Sequence, residues 1–83
     1  MEVRAYVLLK TTDGNSKQVV DIISRQPGVV MVDRVDGLAD VIFAVQALDR
    51  ESLAELTIRA IAAVENKTEE IQLLPAKNPA ASE

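Results

Sequence analysis

Carboxylates supply most of the chemistry this sequence has to offer: thirteen Asp and Glu stand against nine Lys and Arg, with no His and no Cys. Asp33, Asp36 and Asp40 fall around one turn, and oxygen ligands of that kind suit a hard cation such as calcium or magnesium. Their spacing matches no ion-binding loop, so a solvated hairpin with ordinary turn carboxylates is the better reading. Glu69 and Glu70 are adjacent, but neighbours on a strand point to opposite faces and cannot flank one bond as an acid–base pair. Tyr6 and Arg34 would be poised for acid–base or anion work if they met on one sheet face. Packing is the simpler role, since Tyr supplies area and the Arg stem covers apolar surface. Without His or Cys the commonest general base, the commonest metal ligand and every thiol nucleophile are missing. Catalysis would have to rest on carboxylate, Tyr, Lys or Arg groups in an enclosed cavity.

At 83 residues the chain makes one small domain, in the size range where a single core is only just sufficient and oligomerisation commonly supplements it. Net charge is −4, and the basic residues are scattered singly from Arg4 to Lys77. A nucleic-acid footprint needs clustered positive charge, and Tyr6 and Phe43 as the only aromatics give no stacking platform for single strands. Direct nucleic-acid binding, including an RNA-recognition module of the same strand order, is therefore not expected. No stretch is long and apolar enough to span a bilayer, and strand character directly after Met1 leaves no room for a signal peptide. A domain without disulfides fits a reducing compartment, so the expected location is the cytoplasm, with no membrane partner and no cofactor.

The elements that must position any site follow from periodicity. Residues 3–10 alternate as a strand, with Val3, Ala5, Val7 and Leu9 on one side and Tyr6 and Leu8 on the other. A turn-rich run ends in an N-cap at Asn15 or Ser16. Val19, Ile22 and Ile23, with Val20 at the edge, then form one face of a helix that Gln26-Pro27-Gly28 stops. Residues 29–35 read as a β-branched strand, and Asp36-Gly37 as the turn of an antiparallel hairpin whose connection is residues 36–38 at most. In the strand at 39–47, Val41, Phe43, Val45 and Ala47 share one parity and Ile42 and Ala44 the other. Asp49 caps a second helix with Glu51 in its first turn, and Leu53, Leu56, Ala60, Ile61 and Val64 line its buried face. Its end lies near Glu65-Asn66, where Asn tolerates a left-handed conformation. Residues 68–74 form the last strand, and residues 76–83 read as a flexible C-terminal tail.

The order β-α-β-β-α-β with right-handed crossovers is the ferredoxin-like α+β arrangement: a four-stranded antiparallel sheet with both helices on one face. Both faces of its strands are apolar, and two helices cover only one. A sheet of this size leaves roughly 400 Å² bare in projection, near the largest patch a monomer tolerates. Burying it would contribute on the order of 10 kcal/mol per subunit before association costs. A face-to-face homodimer, an α+β barrel closed through the open sheet faces, is the expected solution.

The same order, together with Gln26-Pro27-Gly28-Val29 and Gly37-Leu38-Ala39-Asp40 in register, resembles the effector-binding (RAM) domain of the Lrp/AsnC family of transcription regulators. The resemblance spans residues 3–75, so the domain is placed at residues 1–75. In the family a helix-turn-helix domain precedes this one, whereas here Met1 stands directly before the first strand. The chain therefore resembles a stand-alone member that has no DNA reader of its own and is not an enzyme. What the likeness implies is sensing of an amino acid or related small molecule by a dimer that can assemble into rings of dimers, with full-length family regulators as possible protein partners. Family effector sites involve the Gly-x-x-Asp loop, which maps onto Gly37, Leu38, Ala39 and Asp40. Gly37 would let amides approach a carboxylate, Leu38 would supply apolar contact and Asp40 would attract an ammonium. A purely structural role for the loop, with Asp40 bonding local amides, is the alternative. Two positions depart from the family: Ala63-Val64-Glu65-Asn66 replaces a Gly-Val turn, and Asp36 replaces a small polar residue and would disfavour an anionic effector. An assembly module without ligand and a small dimeric barrel enzyme are the competing functions.

Overall fold

The computed structural model describes residues 2–75; the expected tail, residues 76–83, lies outside them. The chain runs β1 (Val3–Thr11), α1 (Ser16–Ser24), β2 (Val29–Arg34), β3 (Val41–Ala47), α2 (Arg50–Ala63), a 3-10 turn (Glu65–Lys67) and β4 (Thr68–Pro75). All pairings are antiparallel, and the sheet order is β2-β3-β1-β4. The ferredoxin-like α+β order read from the sequence is the one observed.

Alternation decides what the helices cover. Val7 pairs with Phe43 and Leu9 with Val41, so these four point the same way and are fully buried with Val45, Val19, Ile23, Ala60 and Val64. Helix α1 packs on β2 and β3, and α2 on β3 and β1. Val20 and Ile22 flank the α1 contribution. On α2, Leu53, Leu56 and Ile61 are only half-buried, while Thr57 is buried and donates its hydroxyl to the Leu53 carbonyl at 2.7 Å. That back-bond is what lets a polar residue sit where the periodicity calls for an apolar one. Asp49 caps α2 by accepting from the Ser52 amide at 2.7 Å, and this backbone hydrogen bond holds its carboxyl below the usual carboxylate range. Asn15 sits at the N-cap of α1, but its side chain turns away to donate to Thr12 Oγ1 at 2.6 Å.

Three local expectations are corrected. The β2–β3 connection is longer than residues 36–38, because β2 ends at Arg34 and β3 begins at Val41; one further bond, Val35 N–H to the Asp40 carbonyl at 2.8 Å, closes the hairpin. Asn66 takes no left-handed conformation, since no described residue other than glycine has positive φ. The chain instead leaves α2 through the 3-10 turn, tied by Lys67 N–H and the Thr68 hydroxyl to the Val64 carbonyl at 2.9 and 2.8 Å. Finally, Arg34 does not share a face with Tyr6. The register shifts between Val29 and Met31, and an extra residue in one strand flips the parity beyond it. Arg34 thus pairs with the helix-facing Val41, and Tyr6 with Ala44 on the open face.

Gly28 fixes the α1–β2 corner. Its φ is +86°, and a Cβ there would lie 2.7 Å from the Leu56 side chain and 3.3 Å from that of Val45. The mutant Gly28→Ala should lose about 1–3 kcal/mol of stability from backbone strain alone, read as a lower urea midpoint, whereas Gly14→Ala, with the same sign of φ but open space around it, should lose less.

Candidate functional site

Gly37, Leu38, Ala39 and Asp40 occupy the β2–β3 loop, at the end of the sheet where β1 finishes and β4 begins. Gly37 has φ +129°, with nothing within 4 Å of the space a Cβ would take. Leu38 is 92% exposed, and Ala39 and Asp40 are half-buried. Among the described residues, the amides of Gly37, Leu38 and Ala39 donate to no protein acceptor. Three successive N–H groups of the loop are thus unpaired within the described residues.

Asp40 is held more firmly. Its amide donates to the Leu9 carbonyl at 2.8 Å, and its Oδ2 accepts from the Thr11 amide at 3.0 Å and the Thr11 hydroxyl at 2.9 Å. The carboxylate therefore clamps the loop to the end of β1. Thr12 continues the chain of contacts by donating its amide to the Lys67 carbonyl at 2.9 Å, which brings the β2–β3 loop and the α2–β4 turn to the same end. The four sequence-derived site residues are contiguous in the loop, with Asp40 at its anchored end. Removing that anchor as Asp40→Ala should leave Thr11, which is 6% exposed, with two unpaired donors and lower stability by about 1–3 kcal/mol. A urea titration reads this directly, and Asp40→Asn should recover part of the loss.

A second polar cluster lies at the opposite end of the open face. Arg4 Nε donates to Gln46 Oε1 at 3.0 Å, Arg4 Nη1 to Tyr6 Oη at 3.4 Å, and Gln46 Nε2 to Glu2 Oε1 at 2.8 Å. Sequence reasoning missed it, although pairing β1 with β3 places Arg4 directly opposite Gln46. Asp33 pairs with Ile42 on the open face, while Asp36 is an exposed loop residue. Among the described residues no group of three or more acidic, His or Cys side chains is gathered to hold a metal ion, and no helix is long and apolar enough to cross a membrane.

No protein-family model matches the sequence, and no curated protein matches it. Solved structures do match. TTHA0845 from Thermus thermophilus is 25% identical, with 92% of this chain covering 94% of that one at a TM-score of 0.80. An AsnC family transcriptional regulator from Agrobacterium tumefaciens is 20% identical, with 98% of this chain covering 54% of that one at a TM-score of 0.76. This chain shares its fold with AsnC-family regulators. A further transcriptional regulator of that fold, NMB0573 from Neisseria meningitidis, was solved in complex with L-Met; it is 8% identical, 96% of this chain covers 53% of it, and the TM-score is 0.72. The chain spans about half the length of these two regulators. The AsnC-type fold thus accounts for nearly all of the described residues.

Proposed function

We propose that residues 1–75 form an AsnC-type (RAM) effector-binding and oligomerisation module. It takes an amino acid or related small molecule beside Gly37, Leu38, Ala39 and Asp40, and it works as a cytoplasmic homodimer packed through the open sheet faces. Its role is regulatory and non-enzymatic, exerted on protein partners and without direct contact to nucleic acid. The observation that carries this reading is the loop itself: successive unpaired amides, which are donors for a ligand carboxylate, beside the Asp40 carboxylate, whose negative charge complements an ammonium. Support at the level of the fold comes from the L-Met complex of a regulator with the same architecture.

Thermal unfolding in the presence of each amino acid tests the proposal. Binding to the folded state must stabilise it, by about 2.7 kcal/mol at a hundred times Kd, and for a domain this small each kcal/mol raises the midpoint by about 4–8 °C. At least one amino acid should raise the midpoint, and Gly37→Val should abolish the rise. If every amino acid left the midpoint in place, the sensing role would fall. The bonds from Thr11 to Asp40 favour a second reading, in which the loop is only a structural clamp and the domain only an assembly module.

A further inference from the structure

The chain holds two Asp-Gly pairs, Asp13-Gly14 and Asp36-Gly37. A glycine after aspartate has no side chain to block the approach of its amide nitrogen to the aspartate Cγ, so a succinimide ring closes most readily there. The other aspartates are restrained: Asp21, Asp40 and Asp49 have their carboxylates bonded to Arg25, Thr11 and Ser52, and Asp33 lies within the paired strand β2. Both Asp-Gly pairs are exposed, and neither glycine has an atom within 4 Å of the space a Cβ would take. What separates them is how the backbone is closed. Asp13 and Gly14 are the central residues of a tight turn, in which the Asn15 amide donates to the Thr12 carbonyl at 3.1 Å and Asn15 Nδ2 to the Asp13 carbonyl at 3.5 Å. Turning the Gly14 nitrogen onto Asp13 Cγ rotates the backbone inside those bonds and breaks them. The bond from Val35 to Asp40 encloses a longer loop, residues 36–39, and the amides of Gly37, Leu38 and Ala39 donate to no acceptor among the described residues. Rotation between Asp36 and Gly37 therefore sacrifices no hydrogen bond.

We infer that Asp36-Gly37 is a site of spontaneous isoaspartyl modification in the folded protein, favoured by its open loop over Asp13-Gly14. The Gly37 nitrogen attacks Cγ of the Asp36 side chain in its carboxylic acid form. The N–Cγ bond forms, the Cγ–OH bond breaks, and the hydroxyl leaves as water with the proton from nitrogen. Water then adds to the Asp36 α-carbonyl and breaks its bond to the Gly37 nitrogen. This frees the α-carboxylate and leaves the main chain running through Cβ and Cγ. Water is the only co-reactant, residue 36 stays anionic, and the backbone gains one atom. That extra atom falls inside the Val35–Asp40 bond, while the Asp40 amide and carboxylate stay tied to Leu9 and Thr11. Residues 36–39 therefore absorb it, and the unpaired amides shift while the sheet register stays.

The test ages the full chain in neutral buffer at physiological temperature, folded and in parallel unfolded in urea. Isoaspartyl groups are then labelled with an isoaspartyl methyltransferase and a labelled methyl donor, and the label is located by peptide mapping. In the folded chain the Asp36 peptide should carry more label than the Asp13 peptide by a factor of about 2–10, the worth of one turn hydrogen bond. In urea, where neither pair is held, the ratio should fall towards unity. The variant Asp36→Glu keeps the charge but would have to close a larger ring, and it should lose the label at that position. No label at Asp36 in the folded chain, label at Asp13 that equals it, or label that persists on the same peptide in Asp36→Glu would overturn the assignment. An equal preference for Asp36 in urea would overturn the part given to the fold.

Discussion

Replacing Phe43 with Ala is expected to remove about 3–5 kcal/mol of stability. Phe43 is the largest side chain among those fully buried, and it sits where β3 packs beneath the helices against Val7 and Val32. A domain of 83 residues has a total stability of roughly 4–12 kcal/mol at the usual stability per residue. The substitution therefore takes a large share of it, and the urea or thermal transition should move far down or vanish. Leu38→Ala is the natural control: at 92% exposure it should change stability by no more than about 0.5 kcal/mol. Equal melting of Phe43→Ala and wild type would mean that the core is not where the register places it.

Ile42→Asp is expected to separate the subunits. Ile42 lies on the open face between Leu8 of β1 and Asp33 of β2, half-buried in the single chain. A carboxylate introduced there would stand opposite Asp33, where like charges repel, and in a face-to-face dimer it would be buried without a partner. An uncompensated buried charge costs about 3–5 kcal/mol, and about 1.4 kcal/mol is tenfold in an equilibrium constant, so dimerisation should weaken by at least about a hundredfold. The freed monomers should also unfold at lower denaturant than wild type. A gel-filtration mass identical to wild type would show that this face is not the interface.

Much of this architecture was legible because local rules agree with one another. Apolar runs bounded by turn signals in residues 3–10 and 39–47 set the strands, the Val19/Ile23 spacing set the buried face of α1, and Asp49 with Glu51 marked the start of α2. Failures came where a long-range contact or an extra residue outvoted the local pattern. The bulge around Val30 reassigned Arg34 to the helix side, and nothing within β2 announces it. Asn66 looked like a left-handed cap, yet carbonyl bonds from Lys67 and Thr68 closed a 3-10 turn instead. In the candidate site, the loop composition was readable but the grip of Thr11 on Asp40 was not, since these residues are 29 positions apart. The same holds for Arg4 and Gln46, 42 positions apart.

Sedimentation equilibrium of the wild-type chain, followed over about a hundredfold dilution, bears most directly on self-association. Twice the chain mass, falling to a single chain only at the lowest concentrations, is the expected result. A single-chain mass at every concentration, with the protein soluble and cooperatively folded, would contradict it.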